Sequence, residues 1–589
     1  MCLTSTRNAA RLLAAIVMVA SACTPPAPST TPAPVKASAA PSLPPVPFVN
    51  GPLVARVVYP TANAVIQSRD SNFIFGSLGN GGASLTINGT AVPVYPNGAF
   101  LAFLPLPSQD APKYEIVATL GADTVRLTHM VRLLPQLPLV LDSTLADTLS
   151  RLSRYLNDSI LLPGAPKPAG ISPAPVRDSV RSKPSPAIVS PSRAGVAPIA
   201  PAVAPPAPPP DTTPTLVVLG GLPNDSLPPD TDRVVIVRPT PGGTYKWFLI
   251  PGTVLQATGK EGDFVRVRFD SQLEAFVASA DATPAPLGTV LPRRLASNAE
   301  VVPAGDYVDL VIPTGARPAY FVEQRGNSFE LTLYGMRATT DVIAYRGNDS
   351  FVRTVEWSQE TSDRARFTVH LREQPFGYLV LWEQGRFVFR VRRPPIVDPR
   401  HPLRGLVIAV DPGHPPIGAT GPTGLWEPQA TLWVGERVQR LLSERGAIPV
   451  MTRTTMNPVE LVDRPIIARR ANAHALVSIH LNALPDGINP FRAHGTGTYF
   501  FRAQSEGLAR AVQRNMVAQM GLPNLGVYYD NLALTRPTWM PSILCEGAFL
   551  MLPDQESALR TPEFQERYAR GIVDGLEEYF RGLASAAAR

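Results

Sequence analysis

The chain has 589 residues, a length that exceeds a single hydrophobic core and therefore predicts several domains. Its formal net charge of +7 is spread without a block of lysine and arginine, so we expect no nucleic-acid partner. Proline supplies 66 residues, about twice the average usage of roughly 5%, and much of it lies in tracts that cannot form a packed core.

Residues 1–22 have the pattern of a secretory signal peptide. A charged region precedes the apolar run Leu12–Ala20, which is too short to span a bilayer, and small residues then lead to Cys23. The stretch "ASAC" resembles a bacterial lipobox, in which the cysteine becomes the lipidated first residue. The alternative is plain secretion with cleavage near Ala22. We expect an exported envelope protein, in the periplasm or tethered to the outer membrane by acyl chains on Cys23.

Residues 23–48 form a Pro/Ala/Ser/Thr-rich tether, predicted to be disordered, and residues 49–134 contain short alternating apolar runs. The pairs Asn88-Gly89 and Asn97-Gly98 mark tight turns between these runs, which predicts a small antiparallel β-sandwich. This range resembles the immunoglobulin-like modules of bacterial surface proteins.

Residues 135–230 are mostly low-complexity sequence, typical of a proline-rich linker. Two further β-rich ranges follow. The order of apolar runs in residues 231–287, among them "RVVIVRP" and "YKWFLIPGTVLQATG", resembles a bacterial SH3-like barrel. Residues 291–398, with "DYVDLVIP" and "ARFTVHLR", resemble the AMIN-type domains, and that resemblance implies binding to the cell wall.

The pattern changes within residues 403–585, where strand-like runs alternate with helical stretches. This alternation predicts an α/β domain with a mostly parallel sheet flanked by helices. The predicted fold class is therefore multidomain, because several small all-β domains and Pro-rich linkers precede this α/β domain. The predicted strands are Leu406–Val410, Ile448–Thr452, Ala475–Ile479, Thr498–Phe501 and Ile543–Leu544; the predicted helices are Pro428–Arg445, Arg464–Ala473, Ser505–Met520 and Pro562–Phe580.

Four titratable residues follow these strands or begin a helix, at the sheet edge where functional groups of α/β proteins gather. His414 follows the first strand, Glu427 begins the first helix, and His480 and Glu546 end the runs "ALVSIH" and "SILCE". Two imidazoles and one carboxylate are a ligand set of catalytic zinc, which leaves one position for water. A second, unligated carboxylate is then needed to move protons, and Glu546 suits that role.

The motifs "DPGH" (Asp411–His414), Glu427, "SIHLNA" (Ser478–Ala483), "GTGTYFF" and "CEGAFL" together resemble the zinc-dependent N-acetylmuramoyl-L-alanine amidases of the amidase-3 type. The resemblance implies that His414, Glu427 and His480 bind Zn²⁺ and that Glu546 is the catalytic acid/base. It also implies hydrolysis of the amide that joins N-acetylmuramic acid to L-alanine of the stem peptide.

The chain departs from that family where "DPGH" is usually followed by two glycines, because it has Pro415-Pro416, which stiffens the loop and removes two N–H donors. For Asn482, contact with the substrate and a bracing role are about equally supported. We expect Asp411 to brace the turn or a ligand histidine rather than to bind metal. Cys545 suggests a cysteine nucleophile, but strand alternation places it on the face opposite Glu546.

The leading hypothesis is a peptidoglycan hydrolase whose β-modules position it on the wall. One alternative is a catalytically inactive wall-binding protein, and another is a zinc hydrolase of a different cell-wall amide. The expected partners are peptidoglycan, the membrane through the anchor at Cys23, and divisome or other wall-associated proteins.

Overall fold

The computed structural model describes residues 41–134, 215–221 and 234–587. The predicted signal peptide, Cys23, most of the predicted tether and most of the predicted proline-rich linker lie outside these residues. The described residues from 42 onward form one compact unit by their contacts. Within the described ranges, we find no helix with the length and apolar character that crossing a membrane requires.

The N-terminal range folds as two small antiparallel sheets around a core that includes Ile74, Leu85, Phe100 and Ile116, all nearly inaccessible. One sheet has the strand order β1-β3-β6, the other has the order β5-β4-β7-β8, and β2 pairs with β9. The strands are β1 Arg56–Tyr59, β2 Val65–Ile66, β3 Ser71–Ser77, β4 Ser84–Ile87, β5 Thr90–Val92, β6 Ala99–Pro105, β7 Lys113–Leu120, β8 Asp123–Met130 and β9 Arg132–Leu133.

The second β-rich range forms a seven-stranded sheet with the order β12-β11-β15-β14-β13-β10-β16. Its strand β10 lies inside the range predicted as linker, which corrects the boundary of that linker. The reason is that "LVVL" supplies buried side chains between β13 and β16 despite its proline-rich surroundings. The strands are β10 Leu216–Leu219, β11 Val235–Arg238, β12 Trp247–Leu249, β13 Val254–Glu261, β14 Phe264–Asp270, β15 Leu273–Ala278 and β16 Ala282–Pro284.

The third β-rich range contains a five-stranded sheet, β23-β18-β19-β27-β26, and a four-stranded sheet, β20-β21-β25-β24, with β17 paired to β22. Its core is continuous with that of the preceding seven-stranded sheet. The strands are β17 Arg294–Ala296, β18 Ala299–Ala304, β19 Tyr307–Ile312, β20 Ala319–Arg325, β21 Ser328–Tyr334, β22 Met336–Ala338, β23 Ile343–Tyr345, β24 Val352–Thr361, β25 Arg364–Leu371, β26 Gly377–Glu383 and β27 Arg386–Arg392.

The C-terminal range is built on a six-stranded sheet with the order β29-β28-β30-β33-β31-β32. Four of its five strand pairings are parallel, and β31 runs antiparallel to β33, so the predicted mostly parallel sheet is confirmed only in part and the sheet is mixed. The strands are β28 Val407–Pro412, β29 Ile448–Met451, β30 Ala475–Asn482, β31 Thr496–Phe500, β32 Asn524–Tyr529 and β33 Ser542–Phe549. The helices are α1 Glu427–Glu444, α2 Asp463–Arg470, α3 Glu506–Met520, α4 Pro553–Leu559 and α5 Pro562–Ala587.

Helices α1, α3 and α5 cover one face of this sheet. Val434 and Val438 of α1 and Val512 of α3 pack with Ile572 of α5 against the buried strands, as the spacing of apolar residues in α1 predicts. The opposite face is covered by helices only in part. There Ala468 of α2 shares a cluster with Leu534 and Met540, and Tyr307 and Leu379 of the third β-rich range complete it.

Arg392, at the end of β27, joins the third β-rich range to the C-terminal sheet. Its side chain is 2% exposed and donates hydrogen bonds to the carbonyl oxygens of Ala473 (2.6 Å), Asn472 (2.9 Å) and Trp539 (3.3 Å). The guanidinium also lies 4.8 Å from the centre of the Trp539 ring. Burial lowers the pKa of Arg392 to about 10. A buried arginine therefore links the third β-rich range to the backbone of the C-terminal range.

Candidate functional site

Strand β28 ends in a buried polar network centred on Asp411, which is inaccessible to solvent. Its Oδ1 accepts hydrogen bonds from Thr452 Oγ1 (2.5 Å) and Arg464 Nη1 (2.9 Å), and its Oδ2 accepts one from Ser478 Oγ (2.6 Å). With these partners the carboxylate braces strands β28 and β30 and the segment after β29. Asp411 is therefore a supporting residue, as the sequence predicted.

The turn that carries His414 is held by two buried arginines. Arg464 Nη2 donates to the carbonyl oxygen of His414 (2.9 Å), while Arg453 donates from Nε to Pro412 O (2.8 Å) and from Nη2 to Gly413 O (2.9 Å). His414 has φ of 60°, a conformation uncommon for a residue with a Cβ, and the peptide bonds before Pro415 and Pro416 are cis. The hydrogen bonds from Arg453 and Arg464 thus hold the backbone of this turn in place.

The structure brings His414, Glu427 and His480 together. One possible ligand atom from each lies within 4.8 Å of the others. His414 Nε2 is 3.2 Å and His480 Nδ1 is 3.3 Å from the same oxygen, Glu427 Oε1. Both imidazoles keep partial access to solvent while Glu427 is 3% exposed, so the cluster opens outward through the histidines. Two imidazole nitrogens and a carboxylate oxygen at this spacing suit a divalent transition metal.

The carboxylate of Glu427 is anchored by backbone donors as well. Ala419 N donates to Oε2 (2.9 Å) and Leu481 N donates to Oε1 (3.1 Å). Burial raises the pKa of Glu427, but hydrogen bonds from His414 and His480 outweigh burial and hold that pKa below its usual range. Glu427 is therefore ionised at neutral pH, as a metal ligand must be.

Gly413 leaves the space in which the His480 ring sits. A Cβ added at position 413 would lie 2.4 Å from His480 Cε1 and 2.5 Å from Nε2, closer than non-bonded atoms approach. We expect Gly413→Ala to displace the imidazole and to weaken metal affinity by about 10- to 100-fold, the range found when the support of a ligand is disturbed. Competition with a chromophoric chelator measures this affinity.

Gly582→Ala is the matched control for that variant, because position 582 lies on α5 and an added Cβ there meets nothing within 4 Å. It should leave metal affinity unchanged. Equal affinities of Gly413→Ala and the unmodified chain would show that the His480 ring is free to move.

Glu546 lies beside the cluster on β33. In the register of the sheet, Glu546 lies opposite His480 of β30 on one side and opposite Gly497 of β31 on the other. Its Oε2 is buried and has no hydrogen-bond partner among the described residues. Burial, and then the charge of Glu427, raise the pKa of Glu546 well above its usual range. A carboxyl group with a raised pKa and a free oxygen is suited to exchanging a proton.

Cys545 and Asn482 are two further residues that the sequence suggested for the site. Cys545 is inaccessible and packs in the core beneath α5, and burial raises the pKa of its thiol, so the cysteine-nucleophile hypothesis has no structural support.

Asn482 is partly exposed two residues beyond His480. Burial is the largest effect on the pKa of Tyr499, and together with the charge of Glu546 it raises that pKa to about 12. A hydrogen bond between Tyr499 and Asn482 acts in the opposite direction. Asn482 thus lies at the site with a side-chain partner.

Glu556 and Tyr568 support the site, and sequence reasoning missed both. Glu556 is inaccessible and accepts hydrogen bonds from Thr423 N (2.9 and 3.1 Å) and Leu425 N (3.0 Å), which fixes the glycine-rich segment before Glu427. Tyr568 of α5 donates its hydroxyl to the carbonyl oxygens of His480 (3.1 Å) and Cys545 (3.0 Å). No local pattern marks either residue, because each acts on backbone far away in the chain.

Residues 408–578 match the family model described as N-acetylmuramoyl-L-alanine amidase. Among similar proteins, N-acetylmuramoyl-L-alanine amidase LytC of Bacillus subtilis is 32% identical over 188 residues, 31% of this chain and 37% of that protein. The probable cell wall amidase LytH of Staphylococcus epidermidis is 32% identical over 184 residues, 31% of this chain and 60% of that protein. The uncharacterized protein YqiI of B. subtilis is 32% identical over 193 residues, 32% of this chain and 90% of that protein.

Among solved structures, the N-acetylmuramoyl-L-alanine amidase AmiC2 of Nostoc punctiforme has 32% sequence identity with a TM-score of 0.28, covering 30% of this chain and 96% of that one. The chain spans less than two thirds of the length of LytC and of LytH. The family model matches the C-terminal range that carries the histidine–glutamate cluster.

Proposed function

Because the chain belongs to the N-acetylmuramoyl-L-alanine amidase family through residues 408–578, we propose that it cleaves peptidoglycan at the amide between N-acetylmuramic acid and L-alanine of the stem peptide. The observation that carries this proposal is the cluster of His414, Glu427 and His480. Beside it lies a carboxyl oxygen of Glu546 that has no hydrogen-bond partner in the described part of the chain. The donor set fits zinc, since two imidazoles and one carboxylate leave a coordination position open.

In this proposal the metal is zinc, held by His414, Glu427 and His480. When bound, zinc would supply a Lewis acid that polarises the scissile carbonyl and makes water a better nucleophile at neutral pH. Glu546 Oε2 accepts the proton of the attacking water and donates it to the leaving amine as the carbon–nitrogen bond breaks. The products are a free lactyl carboxylate on the sugar and a stem peptide with a new L-alanine amino terminus.

Full-length protein with the leader removed tests this activity. Peptidoglycan should release stem peptides that begin with L-alanine, and a chelator should abolish the release until zinc is restored. Stoichiometric metal without cleavage would favour the wall-binding alternative. Cleavage at a different amide would favour the hydrolase of another bond, and the absence of bound zinc would contradict both catalytic hypotheses.

We also propose that the chain is exported and that residues 1–22 are its signal peptide. The amidase similarity supports an envelope location, because peptidoglycan lies outside the cytoplasmic membrane. In the same proposal the β-rich ranges 49–134, 231–287 and 291–398 act as immunoglobulin-like, SH3-like and AMIN-like modules that position the enzyme on the wall, near divisome or other wall-associated partners.

The lipid anchor predicts a specific change in fractionation. Cys23→Ala should move the protein from the membrane fraction to the soluble envelope fraction, because acyl chains tether a protein by burying their methylene groups. Immunoblotting of separated fractions measures the shift, and Cys545→Ala, a buried cysteine away from the leader, is the control. An unchanged distribution of Cys23→Ala would support plain secretion with cleavage near Ala22.

A further inference from the structure

The N-terminal β-sandwich packs against the C-terminal sheet at the end of its strands where the cluster of His414, Glu427 and His480 lies. Phe73 and Phe75 of β3, with Leu101 of β6, form a buried cluster with Phe549 and Leu552, which end β33 or follow it. Each of these side chains is 5% exposed or less. The sandwich therefore packs directly against the segment that follows Glu546.

A second contact lies in the segment 483–495, which we call the linking loop because it joins β30 to β31. Among the described residues, the hydrogen-bond donors to Asp486 in this loop all belong to the sandwich. Asp486 Oδ2 accepts a hydrogen bond from Gln67 N (2.7 Å). Its Oδ1 accepts hydrogen bonds from Asn72 Nδ2 (2.9 Å) and from the hydroxyl of Tyr59. In return, Asn72 Oδ1 accepts Gly487 N at 3.0 Å.

The donors in this contact are held in place. Asn72 is inaccessible to solvent, and the Tyr59 ring lies 5.1 Å from that of Phe73 and 5.8 Å from that of Phe75. Three donors converging on one carboxylate form charge-assisted hydrogen bonds, which are stronger than neutral ones. An added Cβ on Gly487 would lie 2.8 Å from Ser68 Oγ, so the loop backbone also approaches the Ser68 side chain of the sandwich closely.

Both ends of the linking loop lie at the site. It begins just beyond His480 and Asn482 on β30, and it ends at β31, where Gly497 pairs with Glu546. A fixed point within the loop therefore restrains both flanks of the position that a substrate would occupy. In sequence, Asp486 is 427 positions from Tyr59, so this restraint depends on the docked sandwich.

We propose that Asp486 is a positioning residue for the substrate. By tying the linking loop to the N-terminal sandwich, it holds Asn482 and Gly497 in the arrangement that productive binding requires beside His480 and Glu546. This role rests on the proposed amidase function. It makes the sandwich a part of the catalytic unit.

Asp486→Ala in the full-length protein is expected to lower kcat/KM on peptidoglycan by about 10- to 100-fold, because small displacements of positioning groups carry penalties of that order. Zinc stoichiometry should stay unchanged, since Asp486 contacts none of the three ligands. Hydrogen exchange followed by mass spectrometry should show faster exchange in residues 483–495. Asp123→Ala, an exposed acid on β8 in the other sheet of the sandwich, is the matched control.

Tyr59→Phe keeps the ring and removes one donor, so it tests the same contact where Asp486→Ala disturbs folding. In a double-mutant cycle, the pair should be no worse than Asp486→Ala alone. Wild-type kcat/KM in Asp486→Ala, or loss of activity only through a lowered Tm, would overturn the positioning role while leaving the amidase function standing. A wild-type protein that cuts no amide would instead overturn the proposed function, and this role with it.

Discussion

Glu546→Gln is expected to lower kcat by about 10²- to 10⁴-fold, the range that general acid–base catalysis contributes. The amide side chain has nearly the same shape as the carboxyl group but cannot accept the proton of the attacking water. Zinc stoichiometry and Tm should remain as in the unmodified protein, because burial already disfavours the charge of Glu546. Release of stem peptides under saturating zinc measures kcat.

Cys545→Ala is the matched control for Glu546→Gln, since Cys545 is the preceding residue on β33 and faces the core. It should cost some stability through a small cavity and leave kcat near the wild-type value. A large loss of kcat in Cys545→Ala, with full activity in Glu546→Gln, would reverse the assignment and favour a cysteine nucleophile.

Glu427→Gln should lower zinc affinity by more than about 100-fold, because it removes the only anionic donor of the cluster, whereas loss of an outer partner costs about 10- to 100-fold. The two histidines would remain, so weak binding at high zinc concentration is expected. Equilibrium dialysis with metal analysis gives the affinity, and stem-peptide release should fall in parallel.

Glu436→Gln provides the control for this second variant, as Glu436 is an exposed acid on the same helix α1. Its zinc affinity and activity should match those of the wild type. Wild-type zinc affinity in Glu427→Gln would mean that the carboxylate is not a ligand, and the site would then have to be sought among other residues.

The cluster of His414, Glu427 and His480 could be predicted from sequence because its members lie close to strand ends or to the start of a helix. Buried parallel strands appear as short apolar runs, and the residues that follow each run lie at the carboxyl edge of the sheet. His414 and His480 therefore followed from "VIAV" and "ALVSI", and Glu427 from the start of an amphipathic helix. The bounds of these strands agree with the prediction to within a few residues.

Strand β32 and helix α4 had no such signal. Asn524–Tyr529 is an edge strand without alternating burial, and Pro553–Leu559 is too short to show a helical period. The supporting contacts were equally hidden from the sequence. Glu556 bonds a backbone amide 131 positions earlier, and local patterns carry no information about pairings at that separation.

The predicted domain boundary near Leu403 separates two sequence patterns, but it does not separate two independent bodies. Arg392 lies on the upstream side of that boundary and satisfies carbonyl groups on the downstream side. A recombinant fragment beginning at Leu403 would leave these carbonyls and the Trp539 ring without their partner. The modules of this chain are consequently poor candidates for exchange between enzymes, since a transplanted catalytic domain would need a host that supplies an arginine at the same place.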